Sequence, residues 1–316
     1  MEIIRQFKAL SDPTRLRLIH ILNRYELNVN EIVSIVDMIQ SGVSRHLKIL
    51  LESGLVNSRK QGSYIYYSAN QTQENNALID YVCSFARKEQ ILTQDLQKAR
   101  QSIEIRKDRT RRFFSTMAPQ WDRLKKEVLG ELDLNSIIRN EIQGATITAD
   151  LGCGTGEMLA DLSQSMDFNR EYRLIGVDSS PEMLEQARIR LSSAPGIELR
   201  LGELENLPMR DQEVDGVILS MVLFHIIEPI KAIHEVARVL KPGGRFLLAD
   251  FKRHDNEQIK KIIGGAWLGF SKAQINAWLE SAGLMIHDFH SFKVKHRLSI
   301  QLFIAQKTSS GPEEIS

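Results

Sequence analysis

Cysteine is scarce in this chain of 316 residues, which contains Cys83 and Cys153 and no others. Two cysteines so far apart supply neither a disulfide framework nor a cysteine pair for a metal, so we expect free thiols. Long hydrophobic runs are also lacking, because no apolar stretch approaches the roughly 20 residues of a membrane helix. The first residues lack the basic segment and apolar core of a secretory signal. The sequence therefore predicts no membrane partner and a cytoplasmic location.

Net charge is small, at +1, but the charges are unevenly distributed. Residues 1–120 contain 18 Lys and Arg against 12 Asp and Glu, whereas the remainder contains 23 against 28. A basic first part suits a polyanionic partner, although ordinary surface variation also produces a difference of this size. The length favours two domains, since single hydrophobic cores stop growing before about 300 residues.

Three helical patterns and two strand-like runs follow one another in the first 74 residues. Asp12 and Pro13 predict the start of the first of these helices. A second, short helix is expected from about Val29 to Val36, and a third, with one apolar stripe, over Val43 to Leu50. Gly54 ends the third helix, and two strand-like runs then flank a polar turn. This order is typical of a winged helix-turn-helix.

Three segments carry a resemblance to a known family: Ser-Asp-Pro-Thr-Arg-Leu-Arg-Leu, Gly-Val-Ser-Arg-His-Leu-Lys-Ile-Leu and Glu-Ser-Gly-Leu-Val. They resemble the ArsR family of bacterial repressors, over residues 1–105. The resemblance implies that the third helix enters the major groove of double-stranded DNA and that the 57–64 wing lies on the adjacent backbone. The implied DNA contacts are Gln40, Ser41, Ser44, Arg45, His46, Lys48, Arg59 and Tyr64. Outside this context, Arg45 and Lys48 would indicate an ordinary solvated helix face.

Many ArsR proteins sense metals, but the ligands of the family's two common metal sites are missing from this sequence. One motif has cysteines where Asn28 and Asn30 stand, and neutral amides are poor ligands for soft metals. The other site uses His and carboxylates after the wing, and residues 74–90 contain no His. We therefore expect no metal cofactor.

A helical connector is predicted from Asn75 to Arg112, a stretch without Gly or Pro. In the ArsR family the helix after the wing and the first helix form the dimer. The resemblance therefore implies a homodimer, with two recognition helices about one DNA turn apart. For residues 95–110 a solvated spacer is the alternative.

A glycine-rich turn follows a β-branched strand near the middle of the chain, where residues 150–156 read Asp-Leu-Gly-Cys-Gly-Thr-Gly. Glycine is needed where the chain turns tightly and where a ligand approaches the backbone. A second apolar strand ends at Asp178, whose carboxylate can accept hydrogen bonds from ribose hydroxyls. A dinucleotide pyrophosphate would face Asp150 and Glu157, so a cationic ligand that carries an amino acid fits this loop better.

Three segments in order resemble the class I S-adenosylmethionine-dependent methyltransferases over about residues 113–307: the glycine loop, Gly-Val-Asp-Ser-Ser-Pro-Glu-Met-Leu-Glu-Gln-Ala-Arg, and Glu-Val-Ala-Arg-Val-Leu-Lys-Pro-Gly-Gly-Arg-Phe-Leu. The resemblance implies that the glycines line the methionine portion of the ligand, that Asp150 holds the loop or the amino group, and that Asp178 holds the ribose. Glu203 stands where the family has Asp near the adenine. The implied contacts to S-adenosylmethionine or S-adenosylhomocysteine are Asp150, Gly152, Gly154, Gly156, Asp178, Ser179, Met183, Gly202, Glu203, Leu204, Ser220 and His225.

The same resemblance marks residues 113–122 as a lid segment, whose aromatic side chains either cover the cofactor or pack on the domain. His225 and His254 could serve as bases, and a packed or solvent-facing histidine is the alternative for each. No catalytic residue is assigned. Residues 250–284 resemble the final region of ArsR proteins fused to methyltransferases, some of which respond to S-adenosylhomocysteine or S-adenosylmethionine.

The expected fold class is α/β, with a Rossmann-like class I methyltransferase domain preceded by an α+β winged helix-turn-helix domain. The expected boundaries are 1–74 for the DNA-binding domain, 75–112 for the connector, 113–307 for the methyltransferase-like domain and 308–316 for a tail. The leading hypothesis is a homodimeric repressor of methionine and methyl-cycle genes whose second domain senses S-adenosylhomocysteine or S-adenosylmethionine. The alternative is an active small-molecule methyltransferase with a winged-helix regulatory domain.

Overall fold

The computed structural model describes residues 1–62, 64–86, 89–165, 172–194 and 196–308, which fold as two compact units, Met1–Asp108 and Arg109–Ser316. Residues 309–316 of the predicted tail lie outside the described residues, as do residues 87 and 88 of the predicted connector.

The first unit has helices around a small antiparallel sheet with strand order β1-β3-β2. Its elements are α1 (Glu2–Leu10), α2 (Pro13–Leu22), β1 (Leu27–Asn28), α3 (Val29–Val36), α4 (Gln40–Glu52), β2 (Val56–Gln61), β3 (Tyr64–Ala69) and α5 (Gln73–Ala86), followed by α6 (Gln90–Met117), which contains the boundary between the units. The predicted winged helix-turn-helix is confirmed, with β2 and β3 as the wing.

Local capping explains where two of these helices begin. The Asp12 side chain accepts a hydrogen bond from the Arg15 amide, and Pro13 occupies the first turn of α2. The Asn28 side chain accepts from the amides of Asn30 and Glu31 and so caps α3. The Glu31 carboxylate accepts from the Asn28 amide and completes a capping box.

The predicted helical connector, residues 75–112, comprises most of α5, which ends at Ala86, and the part of α6 that begins at Gln90. Glu89 is not helical, and its carbonyl accepts hydrogen bonds from the Leu92 and Thr93 amides at the start of α6. Helix α6 then passes the predicted end and reaches Met117, because Pro119 is the first residue beyond it that cannot continue a helix.

The second unit contains a sheet of seven strands, counted over the described residues, in the order β6-β5-β4-β7-β8-β10-β9. Strands β4 to β8 pair in parallel, and β10 is antiparallel to both of its neighbours. The strands are β4 (Ile147–Leu151), β5 (Arg173–Asp178), β6 (Ile197–Leu201), β7 (Val214–Ser220), β8 (Leu240–Phe251), β9 (Leu284–Lys293) and β10 (Ser299–Lys307). The predicted Rossmann-like α/β class is confirmed.

Helices cover this sheet and bury a large apolar core against it. They are α7 (Trp121–Leu129), α8 (Leu134–Glu141), α9 (Glu157–Ser165), α10 (Pro181–Arg190), α11 (Pro229–Val239), α12 (Glu257–Ile262) and α13 (Lys272–Ser281), with short 3-10 turns at Ala118–Gln120, Leu223–His225 and Lys295–Arg297. The carboxyl ends of the parallel strands bring the loops after β4, β5 and β7 to one edge, where α/β sheets bind ligands. Among the described residues, no helix combines the length and apolar character that crossing a membrane requires.

Candidate functional site

The glycine loop after β4 has the backbone geometry that only glycine adopts easily. Gly152, Gly154 and Gly156 have φ of 71°, 53° and 75°, all in the left-handed region. A Cβ atom placed on Gly152 would lie 2.6 Å from both methyl groups of Val222. The loop is therefore tight because of both its conformation and the side chain that packs against it.

Four backbone amides of this loop already have acceptors within the protein. Gly152 and Cys153 both donate to the Val177 carbonyl, at 2.7 and 3.0 Å, and Gly156 donates to the Cys153 carbonyl. Gly154 donates to Oδ2 of Asp178, at 2.8 Å. A pyrophosphate is normally held by unpaired loop amides at a helix N-terminus. These four amides are therefore engaged within the protein and are not available to a phosphate group.

Asp178, at the end of β5, is the acid predicted to hold a ribose. Its Oδ2 accepts from Gly154, and its Oδ1 accepts from the Ser180 amide at 2.9 Å. Burial raises the pKa of Asp178, while these amide donors act in the opposite direction. The Ser179 amide is a third donor to this carboxylate, which has about four lone-pair positions, so acceptor capacity is left for a ligand hydroxyl.

Asp150, at the end of β4, is fully enclosed next to the glycine loop. Burial raises its pKa to about 7, with a smaller increase from the Asp178 charge, and Lys125 acts in the opposite direction. Close to neutral pH this carboxyl group is therefore poised between its two charge states, and a cationic ligand group would favour ionisation. Burial also raises the pKa of the Cys153 thiol well above its usual range, so this cysteine is unreactive.

The predicted lid segment lies against the glycine loop. The Trp121 indole is 3.8 Å from the position of a Cβ on Gly154. Thr155 Oγ1 donates to Asp122 at 2.6 Å, and Arg190 donates to the Thr155 carbonyl and also pairs with Asp122. Lys125 forms an ion pair with Glu157, at the start of α9. This clasp of ion pairs between α7 and the loop could not be predicted from sequence, because its partners are up to 68 residues apart.

Residues predicted near the adenine lie on the loops after β5 and β6. Met183 is buried, and its sulfur is 3.9 Å from a Cβ position on Gly154, whereas Ser179 is exposed. Gly202 packs on Pro208, Leu204 is buried, and Glu203 accepts from the Arg111 guanidinium at 2.8 Å. The structure thus brings these residues to the same edge of the sheet as the glycine loop, while their contacts to a ligand stay predictions.

Ser220 and His225 follow β7 at this same edge. Ser220 is half-buried, and His225 is 5% exposed. His225 Nδ1 lies 3.1 Å from the Gly264 carbonyl oxygen, and burial lowers the pKa of this histidine to about 3. His254 lies outside this cluster of β7 residues, half-buried, and burial lowers its pKa. In this structure His225 is therefore a packed histidine, which was the alternative to a role as a base.

Six of the predicted DNA contacts of the first unit are in α4. In α4 the side chains of Val43, Leu47 and Leu50 are buried, so the opposite face points to solvent. That exposed face carries Gln40, Ser41, Ser44, Arg45 and Lys48. His46 is half-buried, with Nδ1 3.6 Å from Asp12 Oδ1.

The two predicted wing contacts differ in their surroundings. Tyr64 is 49% exposed, at the start of β3. Arg59 is paired with the Glu26 carboxylate at 2.8 and 3.1 Å, and its guanidinium lies 5.2 Å from the Tyr66 ring centroid. The Arg59 side chain is therefore oriented by protein groups, whereas the Tyr64 ring stands in solvent.

Asn28 and Asn30, at the positions of the metal-binding motif, are engaged in the start of α3 as described above. Within the described residues, no cluster of three or more His, Cys, Asp or Glu side chains has the arrangement of a metal site. The capping role gives Asn28 a structural explanation that is independent of any ligand.

Comparison with known proteins agrees with this division of the chain. Residues 12–58 match the model of the arsR family of bacterial regulatory proteins, and residues 149–248 match a methyltransferase domain. The chain thus joins a segment that matches the arsR family to a segment that matches a methyltransferase domain. Both resemblances inferred from sequence are confirmed.

Several curated proteins are similar to parts of the chain. An uncharacterized 37.1 kDa transposon protein of Streptomyces fradiae is 42% identical over 101 residues, which is 32% of this chain and 29% of that protein. A ubiquinone/menaquinone biosynthesis C-methyltransferase of Geobacter sp. strain M21 is 25% identical over 185 residues, covering 53% of this chain and 78% of the relative. An uncharacterized methyltransferase of Mycobacterium bovis is 40% identical over 119 residues, 36% of this chain and 45% of that protein.

Solved structures support the fold of the second unit. A Haloferax volcanii protein described as a methyltransferase, in complex with the Trm112 methyltransferase activator, has a TM-score of 0.54 at 20% identity, covering 64% of this chain and 99% of its own. The cyclase SpnF has a TM-score of 0.53 at 16% identity, covering 63% and 95%. Since one neighbour is named a cyclase, the fold by itself does not fix the reaction.

Proposed function

We propose that the protein is a DNA-binding transcriptional regulator, of repressor type, whose methyltransferase domain binds S-adenosylhomocysteine or S-adenosylmethionine and controls operator binding. The observation that carries this proposal is the exposed polar face of α4 on an ArsR-type unit, in the same chain as the glycine loop. A helix of this kind, buried on one face and polar on the other, suits insertion into the major groove. The genes that such a regulator would control are those of methionine and methyl-group metabolism.

The ligand assignment rests on three groups around the glycine loop. Asp178 keeps acceptor capacity for a ribose hydroxyl, and Asp150 offers a carboxyl group that a cationic amino group would ionise. Four of the loop amides, those of Gly152, Cys153, Gly154 and Gly156, are already paired inside the protein, which disfavours a phosphate ligand. These features together fit a nucleoside that carries an amino acid, and this site lies wholly within the second unit.

A homodimer is part of the proposal, with α1 and α5 as its interface. The apolar side chains Ile3, Ile4 and Phe7 of α1 and Tyr81 and Phe85 of α5 are 45–65% exposed. The two helices are adjacent, because Gln6 donates a buried hydrogen bond to Asn75 at 2.8 Å. Large exposed apolar side chains in adjacent helices are typical of protein interfaces.

The test measures DNA binding as a function of ligand. Double-stranded DNA selected from a random pool by the purified protein is titrated by fluorescence anisotropy, without ligand and with saturating S-adenosylhomocysteine or S-adenosylmethionine. We expect at least a fivefold change in the dissociation constant with one of the ligands, since coupling requires different ligand affinities in the DNA-bound and free states. Unchanged DNA affinity under ligand saturation, with ligand binding verified by calorimetry, contradicts ligand control.

An active methyltransferase is the second candidate, favoured by the matching domain model and by relatives whose names include methyltransferase. Proximity and alignment can be sufficient for transfer from a sulfonium, so an unassigned base does not weigh against activity. Transfer of labelled methyl groups from S-adenosylmethionine to any small-molecule acceptor supports this candidate. The DNA titration is independent of that result.

A further inference from the structure

The turn that carries His225 is held by an unusually polar set of buried contacts. The buried Asp250 carboxylate accepts from the Phe224 and Phe251 amides, at 3.2 and 2.7 Å. Trp267 donates its indole N–H to the Ile226 carbonyl. Buried polar groups are costly unless they are paired, so this arrangement strongly fixes the conformation of the turn.

The same contacts determine which nitrogen of His225 carries the proton. Nδ1 lies 3.1 Å from the Gly264 carbonyl oxygen, and a carbonyl only accepts hydrogen bonds. Nδ1 is therefore the donor, and Nε2 of the neutral ring has a lone pair directed away from Gly264. Nε2 is buried and has no hydrogen-bond partner among the described residues. A buried acceptor without a partner on a rigid turn needs an explanation.

Aromatic rings surround this imidazole next to the glycine loop. The centroids of Phe224, Phe114 and Trp121 lie 3.7, 4.6 and 5.8 Å from that of His225. The Trp121 ring also contacts the loop at Gly154. Phe114 and Trp121 belong to the lid segment and are half-buried, whereas Phe224 is on the fixed turn. The His225 imidazole therefore contacts aromatic rings of both the fixed turn and the lid segment.

We propose that His225 and these rings form a second ligand subsite, which takes a flat aromatic molecule with one hydroxyl group that donates to His225 Nε2. The rings would stack on or meet the edges of the ligand, and the single polar contact would select its orientation. This inference rests on the proposed nucleoside site in the adjoining glycine loop. The ligand is either a methyl acceptor or a second effector.

The role of His225 here is that of a hydrogen-bond acceptor that positions the ligand. Burial lowers the pKa of His225 to about 3, so the ring stays neutral near pH 7 and does not hold a proton taken from a phenol. If the ligand is a methyl acceptor, its oxygen forms the new bond to the methyl carbon while the carbon–sulfur bond breaks and leaves its electron pair on sulfur. The phenolic proton then goes to water.

The test uses 2-naphthol and 2-methoxynaphthalene, which have similar shape but differ in the hydroxyl donor. Both are titrated by calorimetry into the full-length protein saturated with S-adenosylhomocysteine. We expect 2-naphthol to bind about tenfold more tightly, as one buried hydrogen bond implies. In His225→Phe, which keeps an aromatic ring but removes Nε2, this preference should vanish, whereas His287→Asn, an exposed control, should retain it.

A second measurement does not depend on whether His225→Phe folds. In the wild-type protein, the 15N resonance of His225 Nε2 should shift on addition of 2-naphthol and not on addition of 2-methoxynaphthalene. Equal affinity for the two probes, no binding of either, or an unchanged Nε2 resonance overturns the subsite. If S-adenosylhomocysteine still binds and still changes the affinity for DNA, only the subsite is overturned and the proposed function stands. Conversion of 2-naphthol to its methyl ether in the presence of S-adenosylmethionine identifies an acceptor, and binding without conversion identifies an effector.

Discussion

The predicted DNA-binding surface of the first unit and the proposed ligand site of the second are built in opposite ways. On α4 the polar side chains stand in solvent, while a separate apolar face of the same helix forms the core. Around the glycine loop, Asp150, Asp178 and His225 are enclosed and held by neighbouring groups. Substitutions on α4 should therefore change recognition without changing stability, whereas substitutions at the loop should change both.

Gly152→Ala is expected to have the largest effect. The left-handed φ of 71° costs alanine about 1 kcal/mol, and the 2.6 Å approach to Val222 adds about 2 kcal/mol of overpacking. We expect the free energy of unfolding of the second unit to fall by about 3 kcal/mol, with loss of S-adenosylhomocysteine binding. Urea unfolding followed by tryptophan fluorescence measures this, since Trp121, Trp267 and Trp278 all lie in that unit.

Gly144→Ala is the matched control for this change. Gly144 also has a positive φ, of 92°, but a Cβ there would meet nothing within 4 Å. Gly144→Ala should lower the free energy of unfolding only by the conformational cost, about 1 kcal/mol, and should leave ligand binding intact. Equal losses in the two variants would show that packing against Val222 contributes nothing.

The glycine loop was predictable from sequence because its requirement is local. A turn with three left-handed residues after a buried strand leaves a glycine pattern, and helical periodicity predicted α3 and α4 closely. The clasp of Asp122 and Arg190 on the loop was not predictable, because it joins residues distant in the chain. Asp250 was missed for the same reason, although its position near the end of a buried strand was a usable signal.

Arg45→Ala tests the exposed face of α4. Arg45 is exposed in α4, so its loss should leave the unfolding free energy and S-adenosylhomocysteine affinity unchanged. DNA affinity should fall about tenfold, as for a lost base or phosphate contact. Fluorescence anisotropy on the selected DNA measures this, with Arg188→Ala, exposed in α10, as the control. A lower free energy of unfolding for Arg45→Ala would contradict the contrast between the exposed face of α4 and the enclosed glycine loop.

Asp150 gives the ligand site a pH dependence that α4 should not share. Its pKa of about 7 lies above the value of about 4 of an unfolded chain, so this group stabilises the fold less as pH rises between those two values. A cationic ligand group favours the ionised carboxylate, so S-adenosylhomocysteine affinity should increase about fivefold from pH 6 to pH 8. Calorimetry across this range measures the increase, and Asp150→Asn should abolish the part due to this group. A wild-type profile that matches the variant's would exclude Asp150 from ligand binding.

Glu26→Gln should have the smallest effect and refines the comparison at the wing. Arg59 is predicted to contact the DNA backbone, yet its guanidinium is paired with Glu26, and the Arg59 side chain is 17% exposed. Replacing the carboxylate by an amide removes one negative charge near the DNA and weakens the hold on Arg59. Because partly exposed ion pairs contribute little, we expect DNA affinity to rise only about twofold, with a steeper salt dependence. Glu52→Gln, which removes an exposed charge from α4, is the control. If the two variants gain equally, the effect is one of overall charge, and Arg59 belongs to the scaffold of the wing rather than to its contact surface.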